Sequence, residues 1–129
     1  MAEESGAQEE EKTLDIDPNL AALIAYLFGW VTGLIIFLLE GKNKFVRFHA
    51  LQSIFLSIAV AIVFTALSIV TGILAIVPGL GIVFAFLGPL IMSVLGLGIF
   101  ILWILLMVRA YQGDKLVLPI IGDLAEKNA

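Results

Sequence analysis

Ala50 to Val108 reads ALQSIFLSIAVAIVFTALSIVTGILAIVPGLGIVFAFLGPLIMSVLGLGIFILWILLMV, without one Asp, Glu, Lys, Arg or His. Soluble domains carry about 25% charged residues, spread over the surface that meets water. A stretch of this length with none has no surface to offer water, and the fold class follows: an all-α membrane protein. The chain as a whole agrees, with 129 residues, 61% hydrophobic and 14% charged.

Two places interrupt the run, Pro78-Gly79-Leu80-Gly81 and Gly88-Pro89. A break at the first alone gives helices over 50–77 and 82–108, each roughly 40 Å long at the standard rise. A break at both adds a fourth membrane segment, the alternative architecture. Upstream, Asp17 can cap free N–H groups and Pro18 fits the first helical position, which predicts a helix over 18–39. At about 1.5 Å per residue that helix matches the roughly 30 Å hydrocarbon thickness. The expected fold is three transmembrane helices in a compact bundle.

Outside the apolar spans, residues 1–16 form an acidic tail expected to be disordered, and 17–129 a single membrane domain ending in an interfacial tail over 109–129. Short cytoplasmic loops collect Lys and Arg. Lys42, Lys44 and Arg47 therefore belong inside, as do Arg109, Lys115 and Lys127, which places the N-terminus outside and the C-terminus in the cytoplasm of a multi-pass cell-membrane protein.

Helices in lipid associate through close approach at small residues and through interhelical hydrogen bonds. Ala21, Ala25, Gly29 and Gly33 repeat every four residues and predict a packing stripe on the first helix. Ser53 and Ser57, four apart, do the same on the second, and Gly88 and Gly96, eight apart, line up on the third. Thr65, Ser68 and Thr71 share the face of Ser57, so an oligomer could line a pathway with them.

Polar chemistry concentrates at the start of the second helix, in Arg47, His49 and Gln52, and at the end of the third, in Arg109, Tyr111 and Lys115. Guanidinium, ammonium and imidazole groups at a headgroup boundary suit lipid phosphate or an acidic partner, so these six are candidates for binding lipid or a partner protein. The single His has no second His or acid within the span, which makes a poor metal or catalytic site. No cysteine is present. No phosphate loop, nucleophile elbow or carboxylate pair occurs in the membrane region, so no enzyme, cofactor or metal is expected. A net charge of −4 without a basic face excludes nucleic acid.

FVRFHALQS at 45–53 together with RAYQGDKLVLPIIGDLAEK at 109–127 resembles a family of small prokaryotic membrane proteins, itself similar to the twenty-kilodalton Tic subunit of the chloroplast import translocon. The resemblance implies a helical membrane protein without established enzymatic activity, acting in assembly or translocation. It also marks Gln112, Pro119 and Asp123 as positions of interest. Membrane lipids, a membrane protein partner or a second copy of the chain are the expected contacts.

Overall fold

The computed structural model describes residues 12–129, so residues 1–11, which hold most of the expected acidic tail, lie outside it. Five helices are described: α1 (Pro18–Leu27), α2 (Trp30–Leu39), α3 (Lys44–Ile76), α4 (Gly81–Tyr111) and α5 (Ile121–Asn128). The described chain forms two compact units, residues 12–58 with 103–129, and residues 59–102.

α3 and α4 are long and apolar enough to cross a membrane. α3 begins six residues before the expected position 50, because Asn43 caps it: the Asn43 Oδ1 accepts the Val46 N–H at 3.1 Å. Pro89 lies inside α4 without ending it. The fourth segment at Gly88-Pro89 therefore does not form.

In the unit of residues 59–102, the two helical arms join through a turn at 77–80. The N–H groups of Leu80 and Gly81 both bond to the Val77 carbonyl, at 3.1 and 2.9 Å. A Cβ at Gly88 would lie 3.3 Å from that of Thr71, whereas at Gly96 it would be 4.0 Å from Phe64. Gly88 is thus a close-packing site and Gly96 an ordinary contact. The large side chains here face outward, Ile76, Ile82 and Phe86 being 82%, 78% and 77% exposed.

The other unit corrects the first helix. Residues 18–39 make two ten-residue helices with Phe28-Gly29 between them. Asp17 and Pro18 start α1 as expected, the Asp17 Oδ1 accepting the Asn19 N–H at 2.9 Å. The chain then turns at Gly29, whose φ of 63° and ψ of −132° belong to glycine. Beyond the turn, the Thr32 Oγ1 donates to the Ala25 carbonyl and a Cβ at Gly33 would lie 3.3 Å from the same oxygen. α2 therefore folds back on α1.

α2 also runs antiparallel along α3. Ser53 donates to the Gly29 carbonyl at 3.0 Å, Gly33 sits against the Ala50 carbonyl, and Arg47 reaches Phe37. Ala21 and Ala25 are buried on α1, but Gly29 and Gly33 serve the turn and α2 instead of extending one stripe.

Candidate functional site

The unit of residues 12–58 and 103–129 buries polar groups beside its apolar core and turns large apolar side chains outward. Glu40, Asn43, His49, Gln52 and Ser53 are buried, while Phe28, Trp30, Leu34, Leu38 and Leu39 are exposed. The exposed apolar side chains suit a surround of hydrocarbon, where buried polar groups must find partners in the protein.

Three of the six binding candidates form its centre. Arg47 is half-buried. Its Nε donates to the Ala129 main-chain oxygen at 3.1 Å, its Nη1 donates to the carbonyls of Glu40 and Phe37 at 2.9 and 3.3 Å, and the guanidinium stacks 4.1 Å over the Phe37 ring. The planar fork thus caps the C-terminal carbonyls of α2 and holds the end of the tail.

His49 and Gln52 are both fully buried. The His49 Nε2 lies 3.1 Å from the Asp114 carbonyl oxygen and its Nδ1 lies 2.7 Å from the Tyr26 hydroxyl. A carbonyl only accepts, so Nε2 carries the proton and Nδ1 accepts from Tyr26. The Tyr26 oxygen in turn accepts from the Gln52 amide at 2.9 Å. Gln52 also donates to the Leu116 carbonyl at 2.9 Å and accepts the Leu118 N–H at 3.0 Å, holding the extended tail as a neighbouring strand would. Every polar atom of the two side chains is engaged. Expected to face lipid or a partner, they face the tail.

Phe45, Phe48 and Tyr26 meet the imidazole edge-on, with ring centroids 4.6 to 5.4 Å away. Trp103 closes the cluster from α4, its Nε1 donating to the Tyr26 carbonyl at 2.6 Å. Past the clamped segment, Ile120 has φ 64° and ψ −59°, and Ile121 N–H bonds to the Pro119 carbonyl at 2.6 Å. This is a γ-turn that a β-branched residue adopts only under strain.

Glu40 organises the second polar centre, a role that the sequence did not mark. Its carboxylate accepts N–H groups from Thr13 (2.7 Å), Leu14 (3.2 Å), Lys42 (3.1 Å) and Asn43 (3.2 Å). Burial raises its pKa, and the four backbone donors outweigh burial and hold it below the usual carboxylate range. Thr13 and Leu14, placed in the tail by sequence, are therefore docked. Tyr26, Asn43 and Trp103 were likewise missed. Asn43 alone left a signal, a cap residue three positions before an apolar helical residue.

The remaining candidates lie at the surface. Arg109 pairs with Asp114 at 3.3 Å, Lys115 pairs with Glu126 at 3.1 Å and sits 4.9 Å over the Phe48 ring, and Tyr111 is exposed. Lys42 and Lys44 are exposed and, among the described residues, join no ion pair. Ser57 donates to the Ser53 carbonyl and Thr71 to that of Leu67, each one helical turn back. No three potential metal-ligating acidic, His or Cys residues cluster among the described residues.

A family model described as the magnetosome magnetite crystal formation protein family matches residues 12–125. A UPF0132 membrane protein of Methanocaldococcus jannaschii is 40% identical, the match covering 89% of this chain and 91% of the relative. A second from the same organism is 36% identical over 88% and 71% of the two chains. A UPF0132 membrane protein of Archaeoglobus fulgidus is 32% identical over 84% and 92%. These matches carry no link to the Tic subunit. No solved structure matches the chain.

Proposed function

Because the chain belongs to the magnetosome magnetite crystal formation protein family, we propose that it is a non-enzymatic membrane assembly module whose cytoplasmic basic rim binds anionic lipid headgroups. The observation that carries this reading is the corner at 40–47. Glu40, Asn43 and Arg47 are committed to internal bonds, so the corner is rigid, and it presents Lys42 and Lys44 to the surroundings. Lys115, Arg109 and Tyr111 extend the rim from the end of α4 and the segment after it. Their internal pairs are exposed and cost little to exchange for a headgroup phosphate.

A basic residue near an anionic surface contributes about 1 kcal/mol, or roughly fivefold in retention. Native mass spectrometry of the protein released from nanodiscs of mixed zwitterionic and anionic lipid provides the test. K42Q and K44Q are each expected to reduce retained anionic lipid by about fivefold and to leave zwitterionic lipid unchanged. Retention unaltered in the double variant contradicts the reading.

A further inference from the structure

α1 and α2 are each ten residues, so each is about 15 Å long and reaches half of a roughly 30 Å hydrocarbon layer. They fold back on each other at Phe28-Gly29, and the two ends of the pair meet again, Thr13 and Leu14 being bonded to Glu40. At the same end, Asn19 packs within 3.3 Å of where a Cβ on Gly113 would stand. The start of α1, the end of α2 and the end of α4 thus come together.

Irregular backbone at membrane depth needs partners from the protein, and several polar groups of this turn have them. Phe28 N–H bonds to the Thr32 Oγ1 at 3.0 Å and Gly29 N–H to the Tyr26 carbonyl at 3.1 Å. The carbonyls of Ala25, Tyr26 and Gly29 accept from Thr32, Trp103 and Ser53 respectively. Around this turn, Phe28 is 71% exposed, and Trp30 and Leu27 also face outward. Large apolar side chains grouped around a turn in this way suit contact with acyl chains.

We propose that α1 and α2 form a re-entrant hairpin that enters one leaflet and returns, its apex contacting acyl chains near the bilayer midplane, with residues 12–17, the connector 40–43 and the C-terminal segment on one side. With α3 and α4 each crossing, the turn at 77–80 lies on the other. The distribution of charge supports this arrangement independently. All seven basic residues, Lys12, Lys42, Lys44, Arg47, Arg109, Lys115 and Lys127, then share one side, and the turn at 77–80 carries none. A spanning helix over 18–39 would instead put Lys12 across the membrane. The shared side is cytoplasmic.

The absence of cysteine makes the test direct. Single-cysteine variants D15C, F28C, L80C and K127C, with V31C as a second apex position, are reacted with a membrane-impermeant maleimide in sealed vesicles of known orientation. Positions 15 and 127 are expected to label only from the cytoplasmic side and position 80 only from the opposite one. Positions 28 and 31 label from neither, and a nitroxide there is relaxed by oxygen rather than by a water-soluble nickel complex. Labelling of position 15 from the side of position 80 overturns the hairpin and restores a spanning helix. Labelling of both apex positions by the impermeant reagent overturns the insertion.

Discussion

Replacing Gln52 with Met keeps nearly the same volume and removes three hydrogen bonds, to Tyr26 Oη, to the Leu116 carbonyl and from the Leu118 N–H. At about 1 kcal/mol each, the loss is about 3 kcal/mol, with no cavity term to add. Its local signature is sharper than its global one. The Leu118 N–H loses its acceptor, so its amide exchange should accelerate about tenfold, corresponding to about 1.4 kcal/mol. The Ser57 amide, whose hydroxyl bonds back to the Ser53 carbonyl within α3, should keep its exchange rate. Hydrogen–deuterium exchange of the reconstituted protein, resolved to single amides, reads both. An unchanged Leu118 rate in Q52M, or acceleration spread evenly along α3, would refute the reasoning that Gln52 clamps the tail.

Three further outcomes follow from the same geometry. Glu40 has its pKa lowered in the folded chain, so its contribution is present above the unfolded carboxylate value and is lost as pH falls through the folded one. Acidification should therefore release the Thr13 and Leu14 amides, seen as faster exchange after intrinsic rates are corrected, and E40Q should flatten that dependence. R47K keeps the charge but not the fork that reaches Ala129, Phe37 and Glu40, and should lose about 2 kcal/mol in thermal unfolding, close to the loss in R47A. G33A places a Cβ 3.1 Å from the Ala50 carbonyl and 3.2 Å from Ile54, and should destabilise by about 1–3 kcal/mol, whereas G96A, with Phe64 at 4.0 Å, should be near neutral in the same assay.

The membrane class and the two long helices were legible in the charge-free run, because hydrocarbon selects composition directly. Pro78-Gly79 marked the turn, and Asp17-Pro18 marked the start of α1. The break at Phe28-Gly29 was hidden, because Gly29 falls in register with Ala21, Ala25 and Gly33 and so reads as one face of one helix. What holds the turn open is largely tertiary: Ser53 and Trp103, both distant in sequence, donate to the Gly29 and Tyr26 carbonyls, and Thr32 adds a local bond to Ala25. For the site, Arg47, His49 and Gln52 were visible as the densest polar cluster, but their direction was not. A buried clamp and an exposed lipid site use the same residue types, and only the path of residues 114–118 decides between them.

The central claim for this unit is a directed chain of hydrogen bonds from Gln52 through Tyr26 and His49 to the Asp114 carbonyl. His49 is the single histidine, so a nitrogen-15 imidazole spectrum of the reconstituted protein reports it without ambiguity. At neutral pH the imidazole is expected as one neutral tautomer, with the proton on Nε2 and an unprotonated Nδ1 coupled to the Tyr26 hydroxyl proton. A proton on Nδ1, or an imidazole averaging between tautomers as in water, would contradict it.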